Sequence, residues 1–302
     1  MPLISLLTAL ILAPFLRSII NKVKAFFAGK QGPPLLQPYY DLYKLSRKGA
    51  VYSSVTSWVF RAGPVVALGT SVTALILMPT ARISSLFQFQ GDLLLFAYIL
   101  GLGRFFTIAA AMDTGSSFEG MGASREALYS ALAEPGLLLG LGGLGLITRS
   151  ISLSAMYGGI NVDFVLSRGL LPAFLFILVA FFIILLAENS RIPVDDPTTH
   201  LELTMIHEVM ILDHCGVDLA MIEYAGALKI WLMGLLITGL IVPVFTTSLR
   251  GSLALSIVSL FLMAMLIGII ESIMARLKLI RIPRLMAVAF IFAAFWVIWV
   301  AG

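Results

Sequence analysis

Between Glu188 and Glu223 the chain places eight carboxylates, Glu188, Asp195, Asp196, Glu202, Glu208, Asp213, Asp218 and Glu223, together with its three histidines, His200, His207 and His214. The whole chain holds 16 Asp and Glu residues, so half of its acids sit in this one stretch, directly after an apolar run. Acids at that density suit proton exchange, because burial raises the proton affinity of a carboxylate and a neighbouring arginine lowers it. Glu188, Asp195, Asp196, Glu202 and Glu208 are the candidates for that work, with Arg191 as the local cation. Ionisable groups beside a bilayer are costly when idle, which favours a function for the cluster as a whole. A plainer reading, in which Glu188, Arg191 and Asp195 pair to tie off a helix end, stays open.

The histidines raise metal binding as a second chemistry. They recur every seven residues, about 10.5 Å along a helix, whereas zinc holds its nitrogens near 2.0–2.1 Å, so one helix does not bring them to one ion. His207-Glu208 lacks the second histidine of a zinc-protease motif, and Cys215, the single cysteine, has no cysteine partner at ligand spacing. A histidine remains usable as a proton relay. No nucleotide-binding loop, paired-cysteine motif or catalytic triad is legible.

Two earlier positions join the candidate set. Arg104 falls midway along an apolar run, where an unpaired charge costs roughly 2.5 kcal/mol or more, so it is expected to face a bundle interior. Glu134 sits about 12 Å along another such run, and Pro135 beside it is expected to loosen the backbone and admit water. The segment MDTGSSFEGMGASREAL leads into that run; Ser124 reads as its helix cap, with Arg125 and Glu126 in the first turn. Asp113 and Glu126 complete the proposed path, although Asp113 and Glu119 also read as ordinary loop charges.

The elements that must carry these residues follow from composition. The chain is 302 residues, 60% hydrophobic and 12% charged, with a mean hydropathy of +1.02. A soluble domain is closer to half apolar and a quarter charged, so this is an all-α, multi-span membrane bundle. Runs long enough for a hydrocarbon core of roughly 30 Å lie near Pro2–Ile20, Gly63–Met78, Leu93–Met112, Ala127–Ile147, Leu170–Ala187, Ala227–Phe245, Leu253–Ile270 and Leu285–Val300. They predict about eight transmembrane helices in a single domain, residues 1–302. The first run lacks the basic start and cleavage site of a signal peptide and reads as a retained span.

Charge sets the orientation. Of 20 lysines and arginines, 15 fall between alternate spans, with Arg82, Arg149, Arg168 and Arg250 on the other side and Arg104 within a span. The positive-inside rule makes the loops 22–61, 113–126 and 188–226 cytoplasmic and puts both termini outside. The basic pI of about 9.3 is thereby assigned to orientation in the lipid bilayer and not to nucleic acid. In GKQGPPLLQPYYDLYKLSRKG, Gly32-Pro33-Pro34 turns the chain, and Leu36, Tyr39, Tyr40, Leu42, Tyr43 and Leu45 predict an amphipathic helix, lying in the interface or against a partner. Pro193 ends the fifth span near Ile192, leaving Arg191 at the membrane surface, and Asp196-Pro197 opens a helix expected to run to about His214.

Four ordered motifs carry a resemblance: GPPLLQPYYDLYKL; GRFFTIAAAMDTGSSFEGMGASREAL with Glu134-Pro135; AENSRIPVDDPTTHLEL; and ESIMARLKL before the last span. Together they resemble the membrane subunit shared by respiratory complex I and the energy-converting, membrane-bound NiFe hydrogenases, over nearly the whole chain. DTGSSFEGMGASRE and the short form of the first motif are similar to the formate hydrogenlyase branch. The resemblance implies a non-catalytic subunit, without a cofactor of its own, in the cell inner membrane. Its partners would be a hydrogenase-like large subunit and an iron–sulfur subunit on the cytoplasmic side, carrying iron–sulfur clusters and a NiFe centre, and antiporter-like membrane subunits. Glu188, Arg191, Pro193, Asp195 and Glu202 match the family's acidic loop, while Thr198 and His200 stand where complex I usually has glutamates and Val194 where it has Phe. The implied function is to dock the soluble redox arm and link electron transfer to proton or sodium movement. The alternatives are a quinone-chamber subunit of a complex I-type enzyme and a stand-alone ion transporter.

Overall fold

The computed structural model describes residues 1–167, 169–195, 205–246 and 248–301. Eight helices are long and apolar enough to cross a membrane. They are α1 (Pro2–Phe27), α3 (Trp58–Leu77), α4 (Asp92–Asp113), α5 (Ser117–Thr148), α8 (Leu171–Glu188), α10 (Gly216–Phe245), α11 (Leu249–Ile273) and α12 (Ile282–Ala301), the last entered through a 3-10 turn at Leu279–Arg281. The remaining helices are short: α2 (Gln37–Ser46) and α9 (His207–Met210) at one end of the bundle, α6 (Leu153–Gly158) and α7 (Val162–Ser167) at the other. Every expected span is therefore present, and the protein is an all-α, multi-pass membrane protein.

α10 is the central post. Its most apolar window is 78% buried, against 17% for α4, and it packs on α1, α2, α3, α8 and α11. An element apolar on all sides belongs inside a bundle. Small residues set the close approaches, as expected where lipid competes equally for apolar side chains. Gly63 of α3 meets Ala110 of α4, and Gly140 and Gly143 of α5 receive Phe181 of α8 and Trp296 of α12, whose indole N–H donates to the Gly140 carbonyl at 3.2 Å.

Side chains fix two of the helix starts. Ser57 caps α3, accepting from the Val59 N–H. At the opposite end of the bundle the fully buried Asp92 accepts from Ser152 Oγ at 2.9 Å and the Leu153 N–H at 2.6 Å, pinning the start of α6 to α4.

Three boundaries differ from the sequence expectation. α5 begins at Ser117, ahead of Ser124, whose hydroxyl donates back to the Met121 carbonyl from inside the helix. Most of the expected loop 113–126 is thus helical. α10 begins at Gly216, shortening the acidic segment from its far side. The first half of the helix expected from Asp196 lies outside the described residues; in the described half, from residue 205, α9 stops at Met210 and turns follow before His214. Helical periodicity ignores tertiary partners, and these polar turns are helical where neighbouring elements satisfy them.

Candidate functional site

At the end of the bundle that carries α2 and α9, a chain of ion pairs crosses four helices. Arg104 of α4 reaches Glu134 of α5 with Nη1 and Glu188 of α8 with Nη2, at 2.6 and 2.7 Å from the two carboxylate oxygens. Glu188 also receives Lys229 of α10 at 3.0 Å. Its side chain is only 3% exposed, and buried carboxylates persist when paired in this manner. Arg104 therefore does face the interior. Glu188 and Glu134 converge on it from separate helices; the sequence reading puts all three in one charged path without pairing them.

Glu188 and Lys229 also line a polar cavity of about 240 Å³, together with Arg191, Asp195, His207 and Glu208. That is well above the roughly 10–15 Å³ one water needs, and the wall offers the polar partners such water requires. On the far side, Arg17 of α1 pairs with Glu223 of α10. A methyl group at Gly226 would overlap the Arg17 guanidinium, so α10 lacks a side chain where that cation crosses it. Beyond the pair lies a crevice of about 300 Å³ lined by Arg17, Asn21, Asp41, Leu45 and Glu223. A smaller space of about 80 Å³ shares His207 and Lys229 with the main cavity and reaches Thr70, Arg104 and Glu126.

The sequence motif before span four positions this cavity. Gly122 of α5 lets α9 approach so closely that a Cβ there would lie 2.8 Å from the Ile206 carbonyl. Arg125 donates to the Met205 carbonyl at 2.8 Å, and Glu119, 1% exposed, accepts from the Asp213 N–H at 3.2 Å. Glu119 is thus a buried clamp and not a loop charge. Asp195 caps α9, accepting from the Ile206 and His207 N–H groups at 3.1 Å each. These contacts seat His207 and Glu208 in the wall. Burial pushes the His207 imidazole below its ordinary range against the opposing pull of Glu208. Burial also lowers His214, whose ring stacks on Phe60 at 4.0 Å, with Asp218 opposing the shift.

The remaining candidates divide. Glu126 borders the 80 Å³ space with Arg104, and with Glu188 it lines a further gap of about 10 Å³. Asp113 lies elsewhere and caps α3, accepting from the Ser57 and Phe60 N–H groups at 2.7 and 3.2 Å. Asp196, Glu202 and His200 lie outside the described residues. Arg191, three residues past the end of α8, is buried in the protein. Nor do Glu188, Arg191 and Asp195 pair with one another: Arg191 meets Glu271 at 3.4 Å, and Arg276 meets Asp195 at 2.8 Å.

Residues 1–301 match the family model for NADH dehydrogenase. The chain belongs to that family. Among its relatives, formate hydrogenlyase subunit 4 of Escherichia coli (strain K12) is 30% identical across 97% of this chain and 95% of that protein. Hydrogenase-4 component C of the same organism is 29% identical across 97% of the chain and 93% of that protein. The fold is also that of a chain in the membrane-bound sulfane sulfur reductase, an archaeal respiratory membrane complex, with a TM-score of 0.82, 21% identity, and 99% and 98% of the two chains covered. The match to the NADH dehydrogenase family extends over every element that builds the cavity, and the hydrogenase-branch relatives align along the full chain.

Within this family member, sequence reasoning missed Arg17, Glu223, Lys229, Glu271 and Arg276 as parts of the site. The available signal was their position: each is charged and falls within or a few residues from an apolar run. Reading Arg17, Lys229 and Arg276 as orienting charges, and leaving Glu223 and Glu271 without a role of their own, hid their partners, which are remote in sequence.

Proposed function

We propose that this chain is the membrane coupling subunit of a hydrogenase-branch oxidoreductase complex. It seats a soluble redox arm on the end bearing α2, α9 and the acidic loop, and links electron transfer there to ion movement in the membrane. The observation that carries this reading is the unbroken run Glu134–Arg104–Glu188–Lys229, ending at a polar cavity below the acidic loop. The proposed partners are a hydrogenase-like large subunit and an iron–sulfur subunit, which hold the redox centres, with antiporter-like subunits beside the bundle. The proposed location is the inner membrane, with both termini on its outer side.

The physics of coupling is charge compensation. Glu188 balances two cations and Arg104 balances two carboxylates, so a proton delivered to Glu188 weakens its hold on both neighbours at once. A pair of charges 4 Å apart at an effective dielectric of 20 interacts by about 4 kcal/mol, equal to about three pKa units, so charge arriving nearby can drive protonation. Freed Lys229 and Arg104 then bias the acids and water next along the line. The test is Glu188→Gln in the intact complex in inverted membrane vesicles. Proton uptake per electron pair should fall about tenfold with assembly retained. An unchanged ratio in a normally assembled complex overturns the proposal.

A further inference from the structure

The acidic loop is gripped from a direction that the ion-pair run does not explain. The chain leaving α11 donates the Leu277 N–H to the Pro193 carbonyl at 2.9 Å and sets Arg276 on Asp195 at 2.8 Å. One turn earlier, Glu271 of α11 places its fully buried carboxylate 3.4 Å from Arg191 and 3.0 Å from Lys24 of α1. Arg191 in turn lines the polar cavity. Its Nε is buried without a hydrogen-bond partner, and among the described residues Glu271 is its ion-pair partner.

Holding α11 to α1 does not need this triad. Gly268 already lets Val23 approach so closely that a Cβ would lie 2.8 Å from the Val23 Cβ, and the buried Ile20, Ala264 and Ile267 pack in the same core. Buried ion pairs are seldom better than apolar packing for stability alone. The charge of Glu271 is spent on the direction of Arg191.

We propose that Glu271 is a positioning residue of the coupling site. It acts through Arg191, holding that guanidinium in the cavity wall, while Lys24 braces the carboxylate from α1. The inference rests on the function proposed above and extends the coupling path to α1 and α11, the helices on the other side of the acidic loop from α4 and α5.

The test compares Glu271→Gln, Glu271→Asp, Arg191→Gln and the double Arg191→Gln/Glu271→Gln chain in the intact complex in inverted vesicles. The donor is formate or reduced ferredoxin, whichever wild-type membranes oxidise faster. Glu271→Gln should lower proton uptake per electron pair by about tenfold, as a site-to-site coupling of ordinary size, and Glu271→Asp should restore at least half of the loss. Arg191→Gln should match Glu271→Gln, and the double change should be no worse than either. If Glu271→Gln keeps the wild-type ratio while Glu188→Gln loses it, this inference fails and the coupling function stands. If both keep it, both fail. A Glu271→Gln chain that does not accumulate passes the decision to the double variant, where Arg191 is no longer left uncompensated. Recovered accumulation with lost coupling supports the proposal. Recovered accumulation with a wild-type ratio, or no recovery, overturns it, because Glu271 then serves the fold and not Arg191.

Discussion

Arg104 joins two carboxylates from different helices. Its side chain is 9% exposed and bridges Glu134, 44% exposed, to Glu188, 3% exposed. The two halves of that bridge are unequal: Glu134 is part-exposed on the outside of the bundle, whereas Glu188 is enclosed and depends on its partners. Lys229 remains for Glu188 when Arg104 is lost, so the damage is partial and not total. Breaking a buried pair commonly costs about 3–5 kcal/mol, and Arg104→Gln is expected to lose a substantial share of that, seen as a lower thermal midpoint of the purified complex. Arg104→Lys should recover part of the midpoint but less of the coupling, because one ammonium lacks the planar fork that serves two carboxylates from different helices. Equal midpoints for wild type and Arg104→Gln would show that Lys229 alone compensates Glu188.

At the scale of elements, α9 is the part whose shape depends most visibly on its neighbours. α9 is a single turn, held by Gly122, Arg125 and Glu119 of α5 and by the Asp195 cap rather than by its own hydrogen bonding. His207 and His214 flank it, and burial lowers both proton affinities. A group whose folded pKa is depressed stabilises its element above the unfolded pKa, and that stability is lost as pH falls through the folded value. The unfolded histidine value is about 6.5, so the segment should hold firmly at pH 7.5 and loosen progressively as pH drops below about 6.5. Hydrogen exchange of residues 205–215, corrected for intrinsic rate and referenced to the core of α10, reads this directly. Protection that is flat from pH 7.5 to 5.5 would exclude the histidines as a local latch.

For the whole molecule, what the sequence revealed and what it hid have separate physical causes. Hydropathy reports burial in lipid or protein along one element, so all eight spans were legible from their apolar runs, and Arg104 and Glu188 from being charged within or beside such runs. It carries nothing about which helices meet. The pairing of Lys229 with Glu188, of Glu271 with Lys24 and Arg191, and of Arg276 with Asp195 joins residues dozens to hundreds of positions apart, and the extended starts of α5 and α10 depend on such tertiary partners. Orientation belongs to this scale as well, because it arises from the summed lysine and arginine asymmetry and not from any one contact. With eight spans both termini emerge on one face, opposite the end that bears α2, and the proposed cytoplasmic side of that end rests on the 15 basic residues at or near it. The single cysteine makes this simple to check. In a Cys215→Ser chain, Lys44→Cys on α2 and Gln88→Cys on the connection between α3 and α4 introduce one thiol at exposed positions on opposite faces. Lys44→Cys should react with a membrane-impermeant maleimide in inverted vesicles stripped of peripheral proteins by alkaline washing, and stay unlabelled in spheroplasts. Gln88→Cys should do the reverse. Labelling in the opposite sense would invert the molecule, moving the acidic cavity to the outer face and removing any cytoplasmic redox arm from its reach.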